Sequence, residues 1–415
     1  MVTRDRLVEL CSAIVNVPSP TGEEVELAAL IAEELSKADL AGQVQPIDDT
    51  MASAHGRLPG AGDGASLMLY SPIDTLSVGS ESADVPWIGP ELRPDMRPAA
   101  DVRGDVVIGL GAQNPKGHAA CVMAAAEALA ASGARLEGDL LVGFGAGGMP
   151  ANSRGPGLAD GHGVGCARLV ELLRPDHGVI AKTGWAVSWE EVGLSWFEVE
   201  VRGSHTYVGS RHLLPYRNAI ADAGKIIEGL EDWFPQWTER HRDRLIAPQA
   251  VVAAIDGGWP HMPAFTTAVC RFWVDLRLNP RTSSEQAAQE FGDELDRLAG
   301  SIGADVSWRQ LVSVPGTSTS PDEDIIQSSI RCWEELTGVD HSPIGGLSGA
   351  TDANIMRTLG VPTARVGLPK VSPERLDGHD EIDFQLGMNA VDVVDMERLT
   401  KLLIRITVDM CGVAS

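Results

Sequence analysis

The sequence predicts an α/β protein: a mainly parallel sheet domain with helices on both faces, interrupted by a ferredoxin-like α+β insert. Three observations predict it. Apolar runs of strand length alternate with helix-period segments as far as about residue 182, the sequence pattern of a parallel sheet with crossover helices. Near Val192 the texture changes, and elements in the order β-α-β-β-α-β fill about 192–312. Alternating strands and helices then resume, so residues 1–191 and 313–415 are expected to fold together as one discontinuous domain. At 415 residues the chain is long enough for two cores.

The elements justify this in order. Residues 3–16 and 22–38 repeat apolar residues at helical spacing, and Pro18-Ser-Pro-Thr-Gly-Glu-Glu24 separates the two helices. Ser66-Leu-Met-Leu-Tyr-Ser71 reads as a buried strand ended by Pro72-Ile-Asp-Thr75. From about 77 to 103 a Gly/Pro-rich stretch without periodicity reads as a long surface excursion. Val107 to His118 is a strand end and a glycine-rich turn, and Ala119–Leu129 is an alanine-rich helix with almost no polar interruption. Asp139–Phe144 is a strand with its exit at Gly145-Ala-Gly-Gly-Met-Pro150, residues 164–173 are helical, and 178–182 is a short strand. In the insert, 195–202, 250–255, 269–276 and 305–311 read as strands, with helices over 215–234 and from a Ser283 cap to about Gly300. Helices over 322–337, 352–359 and 396–410 and a strand at 362–366 complete the chain.

Composition sets limits on function. A net charge of −25 argues against nucleic acid and anionic membrane as partners. No apolar run approaches the ~18 residues of a membrane span. The N-terminus leads straight into an amphipathic helix without a signal-peptide core, and the six cysteines are scattered without a CxxC pair. These features read as a cytoplasmic protein with reduced core thiols.

The turn at 109–118 lies where parallel sheets build their sites, at the C-terminal end of a strand leading into a core helix. It offers Asn114, Lys116 and His118 for polar chemistry; the alternative is a structural turn whose polar groups cap the helix. Further along, Ser71-Pro-Ile-Asp-Thr75, Gly109-Leu-Gly-Ala-Gln-Asn-Pro-Lys-Gly117, Arg217-Asn-Ala-Ile220, Asp256-Gly-Gly258, Asp275-Leu-Arg277 and Ser348-Gly-Ala-Thr-Asp352 occur in a fixed order. In order and spacing they resemble the signatures of the aminoacylase, carboxypeptidase G and succinyl-diaminopimelate desuccinylase family, the M-twenty metallopeptidases. The resemblance spans essentially the whole chain.

That resemblance implies a site where two zinc ions share a carboxylate and a water, and a glutamate takes the water's proton. Here the ligand positions differ. The first histidine is Pro72, the bridging aspartate is Asn114, the paired Glu-Glu falls on Gly147-Gly148, and the next acidic ligand falls on Lys182. The final histidine falls on His379, whose surroundings match loosely. Glu190-Glu191 is set aside as a solvated or hinge position, because it precedes the insert strand directly. With so few imidazoles and carboxylates left, neither metal nor other cofactor is expected.

The substrate side is better kept. The resemblance places Asn218 and Arg277 against a substrate carboxylate, which a guanidinium pairs with in bidentate fashion. The alternatives are a helix cap for Asn218 and a surface strand residue for Arg277. The family's carbonyl-polarising histidine falls on Tyr207, with His205 two residues earlier. Ser348 and Thr351 of the last signature, together with Asn114 and Lys116, complete the expected substrate-binding set. Lys182, His118 and Tyr207 are the expected catalytic groups; Lys182 is notable because the chain uses only six lysines. The expected function is a metal-independent homolog acting at an amide or related C–N bond of a small carboxylate-bearing molecule. A conventional metal hydrolase with differently placed ligands, and a non-catalytic binder of a small acid or protein partner, stay open. The resemblance also implies a homodimer through the insert.

Overall fold

The computed structural model describes residues 2–148, 162–213, 215–376 and 382–414. The chain divides into two compact units. The first comprises Met1–Trp189, Thr319–Pro343 and Thr351–Ser415; the second comprises Glu190–Ser318 and Ile344–Ala350. The second unit thus begins at Glu190 where 192 was expected, ends at Ser318 where 312 was expected, and gains a seven-residue piece that its own sequence pattern does not announce.

The first unit is an α/β domain around a six-stranded sheet. The strand order is Gln43–Pro46, Ala52–Leu58, Leu140–Gly145, Leu67–Pro72, His177–Ala181, Thr363–Val366. The last four strands run parallel and the first two are antiparallel additions at one edge. The pleat sorts side chains between two cores. Leu67 and Leu69 of the central strand join the larger core under the helices Arg4–Val15, Lys116–Ser132 and Val393–Cys411. Met68 and Tyr70 face the opposite core with Cys166, Leu169, Ala353 and Met356. Helices therefore cover both faces. The helix Lys116–Ser132 is buried along most of its length, as its alanine-rich composition predicts, and ends at Gly133 in the left-handed conformation.

Two segments of this unit differ from the sequence reading. The strand Ala52–Leu58 was not anticipated, because Ala-Ser-Ala-His-Gly-Arg-Leu lacks the β-branched residues that announce a strand, although five of its seven residues are buried. The stretch from 77 to 103 is more built than a bare excursion. It contains the helix Glu81–Ile88, a 3-10 turn at Pro94–Met96 and the strand Asp101–Arg103.

The second unit is a four-stranded antiparallel sheet in the order Ala250–Gly257, Val269–Leu278, Gly193–Arg202, Asp305–Val314. With the helices Ala219–His241 and Ser284–Ile302 this is the ferredoxin-like arrangement. Alternate residues of its two inner strands, among them Phe197, Val199, Phe272 and Val274, pack against Ile226, Leu230, Phe291 and Leu295 of the helices. Their neighbours on the other face pair in water, as Arg271 does with Glu200 and Arg309 with Glu198. The first helix runs beyond the expected 234, through Pro235 to His241. Trp237 is buried there and its indole N–H donates to the Arg277 carbonyl at 3.1 Å, so aromatic burial outweighs the proline.

Glu190 and Glu191 are not solvated. They form a two-residue strand against Thr317–Ser318, and both are buried. Glu190 accepts from Arg281 at 2.8 Å and from the Leu245 amide at 3.2 Å. Among the described residues no helix is long and apolar enough to cross a membrane.

Candidate functional site

The parallel strands of the first unit share one C-terminal edge, and the sequence turns out of it at four places. Pro72 to Thr75 leaves the strand Leu67–Pro72, and Ala146 to Gly148 leaves Leu140–Gly145. Lys182 and Thr183 follow His177–Ala181, and Gly367 and Leu368 follow Thr363–Val366. The turn at 109–114 joins them through Gln113. Its Nε2 donates to the Leu368 carbonyl at 3.2 Å, and its Oε1 accepts from the Thr183 hydroxyl at 3.1 Å. Such an edge is where open α/β sheets hold their ligands.

Three buried carboxylates gather along it. Asp74 accepts from the Gly148 amide at 3.1 Å and from the Thr21 hydroxyl at 2.8 Å. Glu24 accepts from the Gly22 and Gly147 amides at 2.8 and 3.0 Å, and its second oxygen has no hydrogen-bond partner among the described residues. Asp352 accepts the Tyr70 hydroxyl on Oδ2, while Oδ1 has no such partner among the described residues. Burial raises the carboxyl groups of Glu24 and Asp352 to about 7, and the charge of Asp74 adds to both shifts. Tyr70 is raised well above its ordinary value by burial and by Asp352. A Cβ on Gly148 would lie 2.9 Å from Asp74 Oδ1 and 3.2 Å from Asp352 Oδ2, so a larger residue there would crowd both acids.

Asp74 and Asp352 were not among the expected site residues, although each closes a signature segment already picked out, at 71–75 and 348–352. What the sequence hides is the burial that raises the Asp352 carboxyl to about 7. Lys182 does sit at this edge: it is half-buried, and its charge acts on both Asp352 and His118.

Lys116 and His118, expected as a substrate-binding and a catalytic group, are buried in the core. Lys116 is fully buried and donates to the Val17 carbonyl at 2.7 Å, and burial lowers its pKa to about 7. His118 is fully buried and its Nε2 accepts the Leu368 amide at 3.1 Å. Burial, followed by the charge of Lys182, lowers the imidazole to about 3, so the ring is neutral at neutral pH. Asn114 is half-buried, with a carboxamide oxygen that has no partner among the described residues. Thr351 is buried just before the Asp352 N-cap of the helix Ala353–Thr358, and its hydroxyl accepts the Ala353 amide at 3.2 Å. His379 lies outside the described residues.

The second unit holds the other expected residues in two groups. Arg277 pairs with Asp275 at 2.8 Å, and its amide donates to the Gln249 carbonyl, whose own amide donates to the Ser348 hydroxyl at 2.9 Å. Arg277 and Ser348 are therefore neighbours. His205 bonds the Thr266 carbonyl at 2.7 Å and stacks on Phe265, which also contacts Tyr207. Tyr207 is half exposed. Asn218 caps the helix Ala219–His241, accepting from Ile220 at 3.0 Å and Ala221 at 3.4 Å.

A family model for peptidase family M20/M25/M40 matches residues 68–383, and the chain belongs to that family. It is similar to the N-formyl-4-amino-5-aminomethyl-2-methylpyrimidine deformylase of Bacillus subtilis (strain 168). The two are 24% identical over 321 residues, which cover 72% of this chain and 69% of the deformylase. Among solved structures it shares its fold with human carnosine dipeptidase 1, at a TM-score of 0.71 and 15% identity, covering 98% of this chain and 96% of that one. It also shares it with a dinuclear metal-binding peptidase of the M20 family from Bacillus subtilis, at a TM-score of 0.64 and 14% identity, covering 98% of both chains.

Such a metal pair does not fit the donors described here. Among the described residues no group of three or more histidine, cysteine, aspartate or glutamate side chains is placed to hold an ion. Both oxygens of Asp74 receive protein donors, and Pro72, Gly147 and Gly148 bring no side-chain ligand to the edge.

Proposed function

We propose that this member of the M20 family is a metal-independent enzyme acting at an amide or related C–N bond of a small carboxylate-bearing molecule. Family membership supports the bond class. The observation that carries the metal-independent part is the Asp352–Tyr70 pair beside Asp74 and Gly148. A carboxyl near 7 can take and return a proton at neutral pH without a metal to activate water. Hydrolysis would add water oxygen to the carbonyl carbon, move a water proton to the carboxylate, and deliver it to the nitrogen as the C–N bond breaks. Lys182 supplies the positive charge at this edge. By resemblance, Arg277 and Asn218 hold the substrate carboxylate, and Tyr207 and His205 are the candidates for polarising the carbonyl.

The similarity to a deformylase puts N-formyl and N-acyl amines first in a turnover screen. The test combines that screen with elemental analysis after dialysis and with assays in a strong chelator. Turnover that persists in chelator, with far less than one metal per chain, is the expected result. Near one metal per chain, or activity abolished by chelation and restored by zinc, manganese or cobalt, returns the conventional hydrolase to first place.

A further inference from the structure

Beside Asn114, within the first unit, the stretch after Thr75 encloses a pocket of about 110 Å³. Its walls are mainly apolar: Leu76, Trp87, Met96, Leu110, Leu386 and Met388. An engineered cavity of about 150 Å³ with a similar lining binds benzene, so this pocket is of a size for a single ring. Leu76, Trp87 and Leu386 stay 51%, 55% and 53% exposed, which leaves apolar surface around the opening uncovered.

The walls are held from behind. Buried Asp84 accepts the amides of Val78, Gly79 and Ser80 at 3.1, 2.7 and 3.0 Å, fixing the path of the chain after Thr75. Buried Asp95 pairs with Arg93 at 3.0 Å and accepts Asn389 Nδ2 at 3.4 Å, while Asn389 Oδ1 accepts the Gly111 amide at 2.9 Å. Both sides of the pocket are therefore tied by hydrogen bonds that owe nothing to an occupant, and the space is pre-formed. Asn114 is the lining side chain with a buried polar atom left unpartnered among the described residues. An oxygen in that state calls for a donor.

We infer that this pocket is the subsite for the apolar part of the ligand, and that it takes a ring-sized apolar group attached through an N–H donor that meets Asn114. The inference deepens the proposed function, because it names the uncharged half of the substrate of that same site. Direct binding tests it without needing turnover. Acetanilide is the probe, with N-methylacetamide as the ring-less control and N-methylacetanilide as the control without the N–H, each titrated by calorimetry. Acetanilide should bind, and each control should bind about tenfold more weakly, the ratio that ~1.4 kcal/mol represents. Trp87→Ala should weaken acetanilide about fivefold or more with an unchanged melting temperature. Leu386→Ala, at a second exposed wall position, should weaken it in the same direction. No binding of acetanilide, equal binding of either control, or wild-type affinity in both variants overturns the inference. Binding without turnover of any amide leaves it standing and counts against the hydrolase reading instead.

Discussion

Burial holds the carboxyl groups of Asp352 and Glu24 near 7, and linkage turns this into a dependence of stability on pH. Between the ordinary carboxylate range and about 7 the folded chain keeps protons that the unfolded chain has already released. The stability that these two groups contribute therefore falls as pH rises through that window, by roughly 2–4 kcal/mol each. Buried His118 contributes in the opposite sense below the usual histidine range, and buried Lys116 in the opposite sense above about 7. Melting temperatures of the wild type should fall relative to those of Asp352→Asn as pH rises from about 5 to 8. Parallel curves for the two proteins would show that Asp352 is not the source. At Arg277 the expectation concerns the ligand. Its guanidinium is held by Asp275, so it is oriented before any ligand arrives. Replacing it with alanine should weaken a carboxylate ligand by about 2–5 kcal/mol if the pair is buried on binding. Unchanged affinity with the fold intact removes Arg277 from the site.

Helices and buried strands were readable because burial leaves a period in the sequence. The alternation in Gly193–Arg202 and the apolar run at Leu67–Tyr70 each report a pleat, one half-covered and one covered on both faces. Ala52–Leu58 was not readable, since its small residues are buried by what lies over them and not by their own hydrophobicity. The same gap runs through the candidate residues. Motif order located Asn114, Lys182 and Arg277 along the chain, and picked out the segments that end at or near Asp74 and Asp352 without marking those two as site residues. It could not show that Lys116 bonds a carbonyl in the core, or that Glu190 is buried against Arg281, because those settings depend on partners roughly 90 residues or more away in sequence. Asn218 makes the distinction testable at the level of one helix. Asn218→Ala should cost about 1 kcal/mol of stability through the lost cap, whereas Asn218→Asp keeps the cap. If Asn218 also holds a substrate carboxylate, the aspartate variant should keep its melting temperature and lose ligand affinity by charge repulsion. Full affinity in that variant assigns the residue to the cap alone.

For the whole molecule the first expectation is association. The strand Ala250–Gly257 is an edge of its sheet and is exposed along nearly its whole length, an arrangement that invites pairing with another strand. We expect a homodimer through this unit, and a monomer by light scattering at micromolar concentration counts against it. A second consequence comes from the short piece Ile344–Ala350, which joins the inserted unit after the chain has already returned to the first. Leu347 pairs in parallel with Ile246, its amide donates to Leu245 at 2.8 Å, and it accepts the Ala247 amide at 3.0 Å. During synthesis, then, the inserted unit lacks its last hydrogen-bonded segment until the stretch Thr319–Pro343 of the other unit has been made. A fragment of residues 190–318 produced alone should be less stable to urea than one extended by a linker carrying 344–350. Equal midpoints would mean that the late segment only rests on a finished fold, and that the ribosome can release that fold early.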